Sequence, residues 1–313
     1  MNEPALMIGL GEVLWDLLPS GRVLGGAPTN FAYMTTVLGD QGIVASRVGN
    51  DDLGREACQV MQELGLGTSY VQFDNCHDTG TAGVLIDSTG QPTFTIKESV
   101  AWDFLQWTPA WEELSARANV VCFGSLAQRS PASAETIEQF LRSTPMRTLR
   151  IYDVNLRDPF CSTDVLRRSL AHAQIVKLNH EEFRYVSSLF RIDGGDDEAL
   201  AKRLLSDFDL QLVCITRGAH GSLLVSRETT VEHKGSSVKV ADTVGAGDAF
   251  TACLAHYYMQ GKSLEEISEF ANRFAAWVTT QVGATPLVHK AQLENILCGL
   301  LSTEEEYESE DLS

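Results

Sequence analysis

From residue 120 to residue 216 the chain alternates short apolar runs with amphipathic stretches, and this alternation limits its folds more than any other feature. The runs 120–123, 148–154, 175–178 and 212–216 are short and rich in β-branched or aromatic residues, so they read as strands. The stretches 132–142, 164–172 and 198–206 place apolar residues at helical spacing between them. A strand that returns parallel to its neighbour needs a crossover, and a helix supplies it. The pattern therefore predicts an α/β fold, a mainly parallel sheet with helices on both faces.

The flanks extend the same plan. Runs 5–9, 12–18 and 43–48 read as strands, and Pro19-Ser20-Gly21 as a turn. Pro28 suits the first turn of a helix that runs to Leu38 and stops at Gly39, and a second helix, 52–64, is closed by Gly65. Strands 82–87 and 92–97 are predicted to pair through a hairpin turn at Ser88-Thr89-Gly90-Gln91. Later, 221–226 and 238–240 read as antiparallel additions, and 247–260, 264–281 and 290–300 as closing helices. There is no linker and no internal repeat. The 313 residues, 44% hydrophobic and 21% charged, suffice for one domain over 1–301.

Charge narrows the partners. A net charge of −18 argues against nucleic acid, whose phosphates would be repelled. An anionic nucleotide can still bind where amides and a metal act locally. The acidic end, 302–313, reads as a disordered, solubilising tail. Seven cysteines with no C-x-x-C pair read as reduced thiols of a cytoplasmic protein. No basic region precedes the first apolar run, so no signal peptide is expected, and no run is long enough to span a bilayer.

The chemistry concentrates in Asp242-Thr243-Val244-Gly245-Ala246-Gly247-Asp248-Ala249-Phe250. Two glycines permit a tight turn, and Phe250, Cys253, Leu254 and Tyr257 then fall at helical spacing. Unpaired amides at such a helix start suit a phosphate. Asp248 in the first turn could take a proton from an attacking hydroxyl, or could simply cap the helix. Asn179 and Glu182, three apart after a strand, fit either a capping box or a carboxylate near a metal. Thr216-Arg217-Gly218 ends a strand, where open α/β sheets bind ligands. Two rival nucleotide motifs fail. A P-loop ending at Gly261-Lys262-Ser263 would need glycine where His256 stands, and a dinucleotide fingerprint from Gly9 and Gly11 would need it at Leu14.

The nine-residue string resembles the C-terminal signature of the ribokinase-like, phosphofructokinase B type, sugar kinases. Gly25-Gly26-Ala27-Pro28-Thr29-Asn30-Phe31-Ala32 resembles the N-terminal one. The likeness covers residues 5–290 or so. Within the family, Gly11-Glu12-Val13-Leu14-Trp15-Asp16, Phe123-Gly124-Ser125-Leu126-Ala127 and Asp153-Val154-Asn155-Leu156-Arg157 look most like bacterial and plant fructokinases.

The resemblance implies a three-layer α/β/α sandwich with a small β-sheet lid from strands near 12–24 and 82–97. It implies ATP and Mg2+, with Asp248 as the base and Gly245, Ala246 and Gly247 as the amides around the transferring phosphoryl. Asn179 and Glu182 would order magnesium through water. Thr216 and Gly218 would meet the nucleotide phosphates and ribose, and Asn272 the adenine. Asp16, Gly25, Gly26 and Asn30 match sugar-binding positions. Arg157 could bind phosphate or a substrate carboxylate, or be a surface ion-pair residue. Asp242, with backbone near Gly283, matches a potassium site in many members. Lid strands often pair between subunits, which implies a homodimer. Trp15 points away from Asp16 along its strand and is expected to pack in the lid or at a dimer contact.

The expected activity is phosphorylation of fructose, with 2-keto-3-deoxygluconate kinase and ribokinase as alternatives. A non-catalytic sugar-binding regulator and a nicotinamide-dependent oxidoreductase are the readings from other classes.

Overall fold

The computed structural model describes residues 3–18, 21–86 and 92–299. The predicted hairpin turn at 88–91 and the acidic tail at 302–313 lie outside them. The chain opens with β1 (Leu6–Leu10), β2 (Leu14–Leu18), β3 (Gly21–Gly25), α1 (Ala27–Val37), β4 (Gln41–Gly49), α2 (Asp52–Glu63), β5 (Val71–Asp74), β6 (Gly80–Ile86) and β7 (Pro92–Ile96). It continues through α3 (Pro109–Arg117), β8 (Val120–Phe123), α4 (Pro131–Ser143), β9 (Leu149–Asp153), α5 (Thr163–His172), β10 (Ile175–Asn179), α6 (His180–Leu189), α7 (Asp197–Asp207) and β11 (Leu212–Thr216). It closes with β12 (Ser222–Ser226), β13 (Thr230–His233), α8 (Ala246–Met259), α9 (Leu264–Thr279) and α10 (Lys290–Cys298).

Nine strands form one sheet in the order β13-β12-β11-β10-β9-β8-β1-β4-β5. From β5 to β11 every neighbour is parallel, and only β12 and β13 are antiparallel. Central strands are covered on both faces, and β1 is buried at every residue. Side chains alternate between the two cores: Val121 and Phe123 enter one, Val120 and Cys122 the other. Helices α4, α5, α6 and α7 fill the first face, and α1, α8 and α9 the second. Each large aliphatic or aromatic side chain so buried contributes about 1.5–3 kcal/mol.

The structure corrects one predicted strand. Residues 238–240 are irregular, and the last strand is β13. Thr229 N–H donates to Ser226 Oγ in the turn, which folds β13 back onto β12 and occupies that ladder. Val238-Lys239-Val240 has the right alternation, but Lys234-Gly235-Ser236-Ser237 intervenes and the segment pairs with no strand among the described residues. β5 and α3 are additional elements. The start of α3 carries legible signals, Thr108 as N-cap and Pro109 in the first turn.

A second, four-stranded sheet has the order β3-β2-β6-β7. Asp16 lies opposite Val23 on β3 and Ala82 on β6, so these three share a face. Trp15 takes the other face. It is buried, its Nε1 donates to Leu53 O on α2 at 3.0 Å, and Arg22 lies over its ring. Arg22 also pairs with Glu56 of α2. The small sheet therefore rests on α2 through Trp15 and Arg22, which settles Trp15 as a packing residue. All seven cysteines are free, four of them buried.

Candidate active site

The site is built where the carboxyl ends of β1, β8, β9, β10 and β11 meet the start of α8. Gly245 is the N-cap, with φ +80°, and a Cβ there would stand 2.7 Å from the Ala284 backbone. Only glycine fits both demands. The first-turn amides of Ala246, Gly247 and Asp248 precede any helical partner and share the positive end of the helix. Asp248 accepts from Asn30 Nδ2 at 2.7 Å, a contact across 218 residues of sequence. It has no cationic partner within salt-bridge distance among the described residues.

The environment raises the Asp248 carboxyl to about pH 6. Burial is the main cause, followed by the negative charge of Asp153. The Asn30 hydrogen bond, Lys177 and Arg157 oppose the rise. A carboxylate titrating there is still mostly ionised at neutral pH yet is a better base than a solvated aspartate.

Asn30 is fixed by α1, whose Thr29 and Asn30 amides both donate to Gly26 O. The Asn30 Oδ1, Thr29 Oγ1 and Glu12 Oε2 atoms are buried without a partner among the described residues. Asp16 approaches from the small sheet, and a Cβ on Gly25 would stand 2.4 Å from its Oδ2. At Gly26, φ +108°, a Cβ would meet Glu12 O at 2.5 Å. Arg157 is exposed, and its Nη1 donates to Leu156 O. Its charge pulls down the carboxyls of Glu12, Asp16 and Asp248 together. Burial outweighs it at Asp16, which is raised, and at Glu12, which rises to about 7.

Asn179 and Glu182 form the capping box. Glu182 N–H donates to Asn179 Oδ1 and Asn179 N–H to Glu182 Oε2, both at 2.8 Å. The other oxygen, Oε1, accepts from Leu156 N–H at 2.8 Å, which ties the Arg157 loop to α6. Burial is the largest influence on Glu182 and raises its carboxyl, while the Asn179 amide and Lys177 oppose it. Thr216 ends β11 in register with Asn179, and Gly218, φ +56°, opens the turn that follows. Asn272 is buried rather than exposed on its helix, and its Nδ2 donates to Ser222 Oγ and Ser268 O. Asp242 accepts from Val244 N–H at 3.0 Å and from Gly283 N–H at 3.1 Å, joining the loop before α8 to the loop after α9.

Two side chains to which the sequence reading gives no role stand in the same cluster. Lys177 and Asp153 lie opposite each other on β10 and β9, both buried, with Nζ 3.0 and 3.1 Å from the two carboxylate oxygens. The available signal was a lysine inside the otherwise apolar run 175–178.

Among the described residues no group of three or more His, Cys, Asp or Glu side chains converges as a direct metal cage. The donors fit an outer-sphere role instead: a buried, amide-bound carboxylate at Glu182 suits a magnesium ion that keeps its waters and its phosphate ligands.

Residues 21–291 match the model of the pfkB family of carbohydrate kinases. The chain is 31% identical over 306 residues to the fructokinase of Escherichia coli, covering 91% of this chain and 97% of that protein. It is 32% identical over 308 residues to the fructokinase of Klebsiella pneumoniae, covering 92% and 98%. The structure of a double mutant of Vibrio cholerae O395 fructokinase in its fructose-, ADP- and potassium-bound form matches with a TM-score of 0.78 at 26% identity, over 94% of this chain and 98% of that one. The chain belongs to the pfkB family of carbohydrate kinases and is an ATP-dependent sugar kinase with a ribokinase-like α/β fold.

Proposed function

We propose that this kinase converts fructose to fructose 6-phosphate, with Asp248 as the general base. The observation that carries the reading is the Asp248 carboxylate, held by Asn30 at the amide-lined start of α8. The fructokinase names of the relatives support the choice of sugar.

Asp248 removes the proton from the 6-hydroxyl as that oxygen attacks the γ-phosphorus. The bond from phosphorus to the β,γ-bridging oxygen breaks, and ADP leaves with the electron pair. The amides of Gly245, Ala246 and Gly247 and the helix dipole stabilise the negative charge that accumulates on the phosphoryl oxygens. Magnesium, when bound with the nucleotide, neutralises phosphate charge, and Asn179 and Glu182 would order its waters. Thr216 and Gly218 would border the phosphates and ribose, and Asn272 the adenine side through its remaining carbonyl oxygen. Asp242 would hold the two loops whose carbonyls receive a potassium ion.

On the sugar side, Asp16 would accept two hydroxyl hydrogen bonds, and Gly25 and Gly26 would leave the backbone close to the ring. Asn30 Oδ1, buried without a partner, supports a third polar contact. Arg157 would meet the far end of the substrate. That exposed cation also favours a second reading, 2-keto-3-deoxygluconate kinase, because an acid sugar would pair with it. The exposed Leu17, Leu18 and Val23 of the small sheet support a lid-to-lid homodimer. The single kinase domain over 1–301, its lid strands and a cytoplasmic setting complete the proposal.

ADP release with ATP, magnesium and each of fructose, 2-keto-3-deoxygluconate and ribose tests it. Fructose is expected to give the highest kcat/KM, and Asp248→Asn to abolish most of it. No turnover of fructose, or an unimpaired Asp248→Asn variant, overturns the assignment.

A further inference from the structure

A buried ion pair between Asp153 and Lys177 stands directly beneath the start of α8. Such a pair is seldom needed for stability, since an apolar pair of the same volume would serve as well or better. Its position is what requires explanation. A Cβ on Gly247 would lie 2.9 Å from Lys177 Nζ, so the ammonium touches the turn that carries the phosphoryl-binding amides. Thr251 Oγ1, one turn along α8, lies 2.9 Å from Asp153 Oδ2 and 3.0 Å from Gly247 O. The pair is thus bonded to the same helical turn that presents Asp248.

Charged, titratable and polar groups face Asp248 from every neighbouring element: Asn30 from α1, Glu12 after β1, the Cys122 thiol on β8, Asp153 on β9, Arg157 in the loop beyond, and Lys177 on β10. Lys177 in turn faces Asp153, Glu182 and Asp248, and their charges outweigh the burial that opposes its ammonium, so its proton is held more tightly than usual. Without that cation, several carboxylates would confront one another and an incoming triphosphate in a poorly hydrated cleft.

We propose that the Asp153–Lys177 pair is a positioning element for the base: Asp153, bonded to Thr251, and Lys177, held against the Gly247 turn, fix the helical turn that presents Asp248 and set the charge beside its carboxylate. This rests on Asp248 being the base. Asp153 and Lys177 act on Asp248 with opposite sign, and the Asp153 effect is the larger. Removing both charges therefore lowers the pH at which Asp248 titrates, as does removing Asp153 alone.

The test compares the parent with Asp153→Asn and with the double variant Asp153→Asn/Lys177→Met, which removes both members of the pair together. Asp248 is titrated directly by carboxyl carbon NMR, beside the pH profile of kcat/KM for fructose. Both variants are expected to titrate at lower pH than the parent and to lose about tenfold in kcat near neutral pH through the weaker base, with KM little changed. If Asp153→Asn fails to fold, the double variant carries the comparison. An Asp248 titration that stays at the parent value or moves upward in the double variant makes the pair a structural tie and overturns the proposal. A parent that phosphorylates no sugar refutes the functional reading alone, since the NMR titration still decides the role of the pair.

Discussion

In the floor of the cleft, Asp248, Asn30, Asp153 and Lys177 come from four elements and form two side-chain-bonded pairs, Asn30 with Asp248 at 2.7 Å and Lys177 with Asp153 at 3.0 and 3.1 Å. In the small sheet above, Asp16 has only strand pairing to hold it: among the described residues its carboxylate makes no side-chain hydrogen bond. The floor is anchored in the two cores on either side of the nine-stranded sheet. The small sheet rests on α2 through Trp15 and Arg22, and it exposes Leu17, Leu18 and Val23. The difference teaches a division of labour. Proton and phosphoryl chemistry needs fixed distances, and the rigid floor supplies them. Admission and recognition of a sugar tolerate movement, and a thin lid suits them.

The comparison breaks most readily at Asp248. Asp248→Asn is expected to lower kcat by about 10²–10⁴ without loss of thermal stability, measured by steady-state kinetics and a melt. A small loss would move the chemistry out of the floor.

The next largest effect is on stability. The fold raises Glu12 from 4.5 to about 7, so it favours the protonated form. That contribution is complete below pH 4.5 and disappears as the pH rises through 7. At pH 8 its loss costs at most about 3 kcal/mol. Asp248 acts in the same direction, from 3.8 to about 6. Glu12→Gln should therefore flatten the dependence of Tm on pH between 5 and 8. An unchanged slope would show that the floor carries no such burden.

The lid is sharpened by smaller changes. Asp16→Ala removes charge-assisted hydrogen bonds of about 1.5–3 kcal/mol, and should raise the KM for fructose by about 10- to 100-fold while kcat falls less. Losing kcat alone would place Asp16 with the chemistry. Trp15→Phe deletes the bond to Leu53 O and should cost about 1 kcal/mol of stability, with a modest rise in sugar KM and an unchanged KM for ATP.

Legibility in the sequence follows the range of the physics. Strands 120–123 and 212–216 are found at their observed limits because both are short apolar runs with clear edges. The capping box at Asn179 and Glu182 is legible because it spans three residues. The 238–240 strand is misplaced because alternation states a preference for pairing without naming the partner. The bond between Asn30 and Asp248 cannot be read from spacing at all, since only the meeting of α1 and α8 creates it. Resemblance to a family suggests both residues, but not that one carboxamide fixes the other's carboxylate. Asp153 and Lys177 escape for a related reason: a lysine in an apolar run is visible, but its pairing and the meaning of both residues come from parallel register and from the helix start above them.

The most direct measurement follows phosphorus in a mixture of the parent protein, ATP, magnesium and fructose by 31P NMR. The account predicts equal amounts of ADP and a sugar phosphate esterified at the 6-hydroxyl, formed by the parent and nearly absent with Asp248→Asn. Free phosphate in place of a sugar ester, or the same ester from both proteins at similar rates, would contradict it.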